Sequence, residues 1–298
     1  MSAMKKFLMI LLAGTLVVNA GAQTLGFLQI SEDPAVSGMA GAGVALHSLT
    51  PLDNNLADAA LGQEKLAAAA SYTLWQPQVG KYGLVSAGAA YRVIPKLVVA
   101  LAVKDYMCPE YEMTTVTGQT SGSFKPMELS IAAGAAYQIT ESLSAGLAVK
   151  FLSSSLGESV KGSAVAANIS AKYVAGGLQA GVAVNNLGSK ISYGGDSYSL
   201  PMLLKAGGAY TISGFTAALE ADYVMGAGLM AALGAQYSIK DLVFVRAGYH
   251  LGASDKVIPS HVSLGLGVQF AGVHLDVSFL TASQTLGNTL AFGLGYAF

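Results

Sequence analysis

From residue 66 to the C terminus, apolar residues recur at every second position in runs of about ten residues. In the run 143–151, the odd positions are Leu, Ala, Leu, Val and Phe, and the even positions are Ser, Gly, Ala and Lys. A period of two places one set of side chains on one face of a β-strand and the other set on the opposite face. The pattern therefore predicts a succession of amphipathic strands.

Fourteen such runs can be delimited, and closed bacterial barrels have an even number of strands. They cover residues 66–76, 82–92, 96–106, 127–138, 142–153, 162–174, 177–187, 201–212, 214–224, 228–238, 241–251, 261–270, 272–281 and 287–298. Tight connections (93–95, 139–141, 175–176, 213, 239–240 and 271) alternate with longer ones that include 107–126, 154–161, 188–200, 252–260 and 282–286. This asymmetry is typical of a transmembrane barrel with short periplasmic turns and longer external loops. We expect an all-β, antiparallel transmembrane β-barrel of about 14 strands at residues 66–298.

Aromatic residues mark the short-turn ends of seven strands. All lie in the apolar phase of their strand: Tyr91, Tyr137, Tyr173, Tyr210, Tyr237, Phe270 and Tyr296. Amphipathic rings at one depth are expected of a membrane-interface girdle. The alternative is that tyrosine simply favours strands.

Charged residues of the strands occupy the opposite phase, which faces the lumen. They are Arg92, Lys104, Glu128, Lys150, Lys172, Lys205, Glu220, Asp222, Arg246, His274 and Asp276. A basic residue facing lipid at mid-membrane costs about 2–4 kcal/mol, which explains this sorting. The lumen charges either brace the lumen or line a conduction path, and Lys104, Glu128 and Lys150 suit an ion-pair ladder.

The N-terminal 65 residues follow a different pattern. Residues 1–22 resemble a secretory signal peptide, with a basic start at Lys5 and Lys6, an apolar core and an Ala20-Gly21-Ala22 cleavage site. Residues 23–65 predict two short helices, Ser31–Met39 with Ser31 as N-cap and Asp53–Leu61. Fourteen strands enclose a lumen wider than side chains can fill. We therefore expect residues 23–65 to form a plug within the barrel.

The composition supports a transmembrane β-barrel and disfavours a helical membrane protein, a nucleic-acid-binding protein and an enzyme. Of 298 residues, 53% are apolar and 11% charged, with a mean hydropathy of +0.51. After the N terminus no apolar run reaches the roughly 18 residues of a membrane helix. The net charge of −1 gives no electrostatic case for nucleic acid. The four histidines and the single Cys108 lack the spacing of a metal site or catalytic set, so we expect neither an enzyme, nor a metal, nor a cofactor.

Several short segments, in this order, resemble the PorV/PorQ family, whose barrels are related in fold to the FadL fatty-acid transporters. They are GMAGAG at 38–43, NNLA at 54–57, SYTLW at 71–75, ELSIA at 128–132, VNNLGSKISY at 184–193, Pro201, VRAGY at 245–249 and GNTLAF at 287–292. The terminal strand, which ends on Phe298, resembles the signal that the barrel-assembly machinery recognises. The resemblance implies a bacterial outer-membrane location, in contact with outer-membrane lipid.

The resemblance also implies a function in type IX secretion, in which the barrel binds or shuttles the C-terminal domains of secreted cargo through its external loops. Exposed loop residues would then contact these partners, and the candidates are Tyr111, Met113, Tyr193, Tyr198, Val257 and Ile258. Ordinary packing within the loops is the alternative for these residues. The alternative function is that of a FadL-like transporter of hydrophobic small molecules across the outer membrane.

Overall fold

A computed structural model describes residues 24–75, 80, 82–157, 160–252, 258–281 and 287–298. The predicted signal peptide at 1–22 lies outside these residues. Eighteen strands are present among the described residues. They are β1 Leu66–Trp75, β2 Tyr82–Ile94, β3 Leu97–Met107, β4 Tyr111–Thr114, β5 Thr120–Phe124, β6 Met127–Gln138, β7 Leu143–Ser155, β8 Lys161–Ala175, β9 Leu178–Gly188, β10 Ile191–Tyr193, β11 Asp196–Tyr198, β12 Leu203–Ile212, β13 Phe215–Val224, β14 Gly228–Ile239, β15 Val243–Leu251, β16 His261–Phe270, β17 Val273–Leu280 and β18 Thr289–Ala297.

Fourteen of these strands form one closed antiparallel barrel, which confirms the predicted fold class. Each barrel strand pairs with its neighbour in the chain, and β1 closes the barrel by pairing with β18 in the register Ala67 opposite Ala297. The remaining four strands form two hairpins, β4–β5 and β10–β11, within the long connections. The sequence pattern missed these hairpins because strands of three to five residues are too short to show a clear alternation.

The short connections lie at one end of the barrel, here called the turn side, and the long connections at the other, called the loop side. Two-residue turns require a left-handed backbone to match the twist of the flanking strands. Ser213 and Gly214 have φ of 48° and 81°, and Ala271 and Gly272 have φ of 50° and 81°. Both chain ends of the barrel domain lie on the turn side, where the amide of Leu66 donates to the carbonyl of Phe298 over 3.1 Å.

The outer surface of the barrel is an apolar belt. Leu101 and Leu229 expose about two thirds of their surface (66% and 65%), and all seven girdle aromatics are exposed. Tyr91 and Tyr137 lie opposite the first residues of neighbouring strands, Leu66 and Leu97, and so at the turn-side rim. A continuous apolar exterior needs a lipid environment. Within the described residues no helix is both long and apolar enough to cross a membrane.

The segment 24–65 fills the middle of the lumen as a plug with little regular structure. It contains helix α1 (Pro34–Gly38), helix α2 (Asp58–Leu61) and two short 3₁₀ helices, Gly26–Gln29 and Pro51–Asp53. The predicted N-cap is wrong by two residues. Asp33 caps α1, since its Oδ1 accepts from the amide of Ala35 at 2.8 Å, and proline is well placed directly after a cap.

The predicted second helix, Asp53–Leu61, is likewise shorter than expected. Its first half is interrupted at Asn54–Ala57, where polar contacts to the barrel replace helical hydrogen bonds. Asn55 Nδ2 donates to the carbonyl of Ala171 of β8 at 3.2 Å, and the amide of Ala57 donates to Ser170 Oγ of β8 at 3.1 Å. Tertiary hydrogen bonds thus override the local helical tendency.

Glycines on the inner wall allow the plug backbone to approach the strands closely. A Cβ atom on Gly181 of β9 would clash with the carbonyl oxygen of Val44 and lie 2.9 Å from Asn55 Nδ2. Gly208 of β12 lies instead on the outer face, in the phase of Tyr210, and the nearest atom to a Cβ there, the carbonyl oxygen of Gln179, would be 3.5 Å away. The inner wall, where glycines leave room for the plug backbone, is therefore a docking surface for the plug.

We expect Gly181→Ala to displace the plug at Val44 and to lower the thermal stability of the folded barrel. Gly208→Ala serves as the matched control and should be close to neutral, because its methyl group has room. Overpacking typically costs about 1–3 kcal/mol. Heat-induced loss of the compact gel mobility measures the difference, and equal midpoints for both variants would show that the plug does not dock on Gly181.

Candidate ligand-binding site

Two aspartates of the plug are anchored by lysines of the barrel wall. Asp53 pairs with Lys150 of β7 and lies 3.7 Å from Lys104 of β3. Lys104 Nζ also donates to the carbonyl of Ile30 at 2.6 Å, and Lys150 Nζ donates to Asn186 Oδ1 at 2.9 Å. Lys150 is only 1% exposed. Each ammonium group therefore has a carboxylate and a neutral acceptor, as a buried charge requires.

The expected ladder of Lys104, Glu128 and Lys150 is wrong. Asp53 supplies the carboxylate between the two lysines, whereas Glu128 lies one step nearer the loop-side rim, opposite Tyr106. No ion pair of Glu128 occurs among the described residues. Periodicity places a side chain on the lumen face but does not say which plug residue will reach it.

The second anchor surrounds Asp58 at the start of α2. Its carboxylate contacts Lys172 of β8 at 2.5 Å and His47 at 2.8 Å, and accepts from the amide of Ser48 at 3.1 Å. The Asp58 carboxylate raises the pKa of His47 from 6.5 to about 9. At the other end of α2, Arg92 Nη2 donates to the carbonyls of Ala59 at 2.8 Å and Gly62 at 2.6 Å. A cation at a helix C terminus satisfies carbonyls that have no partner within the helix.

In a third contact the roles are exchanged, because the barrel supplies the carboxylate and the plug supplies the hydrogen-bond donors. Glu220 of β13 accepts from the amides of Gly43 at 2.7 Å and Val44 at 2.6 Å, and pairs with Lys205 of β12 at 2.8 Å. Nearer the turn side, Arg246 pairs with Asp276 at 2.5 Å. These contacts brace the plug and the lumen wall.

The plug divides the lumen into two cavities. The turn-side cavity is the larger of the two, about 420 Å³, and its lining mixes apolar residues with polar ones such as Gln179, Thr216, Gln236 and His274. The loop-side cavity is about 90 Å³. Glu32 and Val36 line both cavities. The segment Glu32–Val36 is thus a thin partition between the two halves of the lumen.

The loop-side cavity combines an apolar wall with a polar floor. Its apolar lining comes from both the plug and the barrel: Leu28, Ile30, Trp75, Leu203, Met230 and Ile258. Its polar lining consists of Glu32, Lys104, Lys205, Asp222, His250 and His261. A few polar groups in a largely apolar concavity are typical of a small-molecule site.

Burial of Glu32 raises the pKa of this carboxyl group well above its ordinary value, and the nearby Asp53 carboxylate adds to the rise. The two histidines face each other across β15 and β16 with their rings stacked, 5.0 Å between centroids. Among the described residues, no group of three His, Cys, Asp or Glu side chains could hold a metal ion.

The predicted partner-binding residues are not equally available on the loop side. Tyr111 is exposed and its hydroxyl lies 2.6 Å from that of Tyr82, whereas Met113 is half-buried. Val257 lies outside the described residues, and Ile258 lines the loop-side cavity.

The expected exposure of Tyr193 is wrong, because this residue is 7% exposed. The β10–β11 hairpin folds onto β8, where Gly162 leaves room for Tyr193 and Ile191. Tyr198 is half-buried, with its ring 6.0 Å from that of Tyr193. These two tyrosines stabilise the hairpin.

Sequence reasoning missed Glu32, Asp53, Asp58 and Trp75 as site residues. A signal for the aspartates was nevertheless present. The lumen phase of β3, β7 and β8 carries three lysines and no acidic residue. Buried lysines need counter-charges, and the acidic residues of the plug were the available source.

These features define a membrane-spanning β-barrel whose lumen is closed by its own N-terminal segment. No family model matches the chain, and no curated protein matches it in sequence. Its fold is that of FadL-like barrels with a plug. The toluene transporter TbuX of Ralstonia pickettii aligns with a TM-score of 0.67 at 11% identity, over 89% of this chain and 98% of that chain.

Two further structures show the same architecture. The monoaromatic hydrocarbon channel CymD gives a TM-score of 0.63 at 16% identity, over 93% of this chain and 98% of that chain. A FadL homologue of Pseudomonas aeruginosa gives 0.61 at 12% identity, over 93% of this chain and 99% of that chain. At these identities the likeness establishes the fold alone.

We expect Asp53→Asn to loosen the plug, because it leaves Lys104 and Lys150 buried without their carboxylate. Breaking a buried ion pair from one side costs about 3–5 kcal/mol. Single-channel recording in planar bilayers should show frequent openings of the variant. The matched control is Asp196→Asn on the exposed β10–β11 hairpin, which should stay as closed as the unmodified protein. If both variants stay closed, Asp53 is not an anchor.

Proposed function

We propose that this protein is an outer-membrane transporter of small hydrophobic molecules, with the FadL-like fold and a movable plug. Export, insertion by the barrel-assembly machinery and contact with outer-membrane lipid belong to the same proposal. The observation that carries it is the pair of cavities on either side of the plug, which share Glu32 and Val36 as lining residues. A small movement of the segment Glu32–Val36 would connect the loop side with the turn side.

The anchoring of the plug is unequal, and this supports a movable partition. Between Glu32 and Gly38 the hydrogen bonds to the wall are neutral, whereas charged wall groups hold the flanking residues, Lys104 at Ile30 and Glu220 at Gly43 and Val44. Ser71 Oγ donates to the carbonyl of Glu32 at 2.5 Å, and Ser263 Oγ donates to the carbonyl of Gly38 at 2.9 Å. Asp53 and Asp58 instead hold charged contacts. Hydrogen bonds to charged groups contribute about 1.5–3 kcal/mol and neutral ones about 0.5–1.5 kcal/mol, so the segment near α1 is the more weakly held.

The apolar wall of the loop-side cavity supports a hydrophobic substrate. Leu28, Ile30 and Trp75 would contact the apolar part of a molecule that enters from the loop side. The structural neighbours TbuX and CymD are described as a toluene transporter and a monoaromatic hydrocarbon channel. Those descriptions agree with the cavity chemistry proposed for this chain.

We expect Val36→Ala to increase uptake of radiolabelled ethylbenzene several-fold in cells that produce the barrel, because the change thins the partition. Val149→Ala, a truncation of the same size on the lipid-facing surface, is the control and should leave uptake unchanged. Compact gel mobility verifies folding of both variants. Equal uptake with the two variants and with cells lacking the barrel would overturn the proposed function.

The second candidate is the type IX role that the PorV/PorQ resemblance implies. What favours it is the β4–β5 hairpin, whose Tyr111 and Val116 are exposed on the loop side. Under this function, gentle extraction and affinity capture of the full chain should recover secreted proteins with type IX C-terminal domains, and replacement of residues 111–124 by a short turn should abolish recovery. Recovery of none from a producing organism would reject this candidate.

A further inference from the structure

The floor of the loop-side cavity has more hydrogen-bond acceptors than the protein itself satisfies. Five buried atoms there have no hydrogen-bond partner among the described residues: both carboxyl oxygens of Glu32, Oδ1 of Asp222, and Nε2 of His250 and of His261. Glu32, His250 and His261 are each more than nine-tenths buried (5%, 5% and 7% exposed). Unsatisfied buried polar atoms at this density in one cavity need an explanation.

The two histidines are fixed as acceptors by their other ring nitrogen. His250 Nδ1 lies 3.2 Å from the carbonyl of Ala40, and His261 Nδ1 lies 2.9 Å from the carbonyl of Pro259. A carbonyl can only accept, so in both rings Nδ1 carries the proton. In a neutral imidazole the lone pair then lies on Nε2, and burial away from water favours the neutral ring.

The two lysines of the cavity are already engaged by protein groups. Lys104 contacts Asp53 and the carbonyl of Ile30, and Lys205 contacts Glu220 and Asn54 Oδ1, the latter at 2.9 Å. Glu32 and Asp222 are left as the cavity carboxyl groups without an ion pair among the described residues. The floor therefore combines acidic character with free acceptors.

We infer that the loop-side cavity selects small amphipathic molecules with an apolar body and a hydrogen-bond-donating head, an amine or a hydroxyl group, over both carboxylates and plain hydrocarbons. The inference rests on the proposed function and names its substrate class. The body would pack against Trp75, Leu28 and Ile30, and the head would donate to the histidine and carboxyl acceptors. A carboxylate head has no hydrogen to donate to Nε2 of His250 or His261, and its buried charge would lack a counter-charge because both lysines of the cavity are already engaged.

A hydrocarbon can fill the apolar wall but leaves the acceptors of the floor without donors. Sites built to hydrogen-bond a polar group discriminate strongly against analogues that lack it. We therefore expect at least tenfold selectivity between a molecule with a donor head and its hydrocarbon counterpart.

Trp75 is the only tryptophan of the chain and lines this cavity, so its fluorescence reports binding there. The purified full-length barrel is titrated with four probes that share one apolar body: 2-phenylethylamine, 2-phenylethanol, ethylbenzene and phenylacetate. We expect the amine and the alcohol to bind at least tenfold more tightly than ethylbenzene, and phenylacetate to bind most weakly. Binding of ethylbenzene or phenylacetate as tight as that of the alcohol would overturn the inference.

Substitutions in the floor of the loop-side cavity, each compared with a control, test whether the floor determines the selectivity. The substitutions His250→Phe and His261→Phe keep an aromatic ring but remove the acceptor, so each should reduce the preference for the alcohol over ethylbenzene. His274→Phe, in the turn-side cavity, is the matched control and should retain the preference. Asp222→Asn should reduce the preference for the amine over the alcohol. Unchanged selectivity in all three floor variants would reject the assignment.

The failure of this inference can be told apart from that of the proposed function. Barrel-dependent uptake of ethylbenzene without any preference for donor heads would support the proposed transport function but reject the inference about its substrate class. If no probe changes Trp75 fluorescence and none enters cells through the barrel, both are rejected.

Discussion

The lysines of the barrel wall and the aspartates of the plug depend on each other for burial. Lys104, Lys150 and Lys172 face a lumen that a wide barrel cannot fill with its own side chains, and unpaired ammonium groups there would be strongly unfavourable. Asp53 and Asp58 supply the missing charges from a segment with little regular structure. The plug in turn has no extensive core of its own and is held in place by the wall. Closure of the lumen, the two cavities and the thin partition between them all follow from this pairing.

The charged contacts to the wall are unevenly distributed along the plug, so one part of the plug is held more firmly than the other. The part that contains Asp53 and Asp58 is fixed by ion pairs to β3, β7 and β8. The part around α1 rests on neutral hydrogen bonds and on close packing against Gly265, where a Cβ on Gly38 would lie 2.9 Å from the Gly265 Cα. The proposed transport function needs a stable closed state together with a segment that can move at low cost. Under that proposal, the charged anchors would supply the first requirement and the neutrally held segment near α1 the second.

The barrel could be predicted from sequence because its pattern is local and repeated. Within each strand the alternation of residues shows which side chains face the lumen, as Lys150 between Val149 and Phe151 illustrates. Contact with lipid requires apolar residues on the opposite face. The pairings inside the lumen could not be predicted, because they join residues far apart in the chain through a segment without periodicity. Asp53, the acidic residue expected to begin a helix, instead neutralises two lysines. Tyr193 was wrongly predicted to be exposed for a related reason, because its hairpin packs against Gly162, which belongs to another strand.

Hydrogen exchange tests most directly whether the plug has a firmly held part and a movable part, as we infer. Amide exchange of the folded barrel, followed by mass spectrometry of plug peptides, should show residues 33–41 exchanging at least tenfold faster than residues 53–61. Binding of 2-phenylethanol should alter exchange in the first peptide alone. Equal protection of both peptides, or faster exchange at 53–61, would contradict a plug that is held at residues 53–61 and movable near α1.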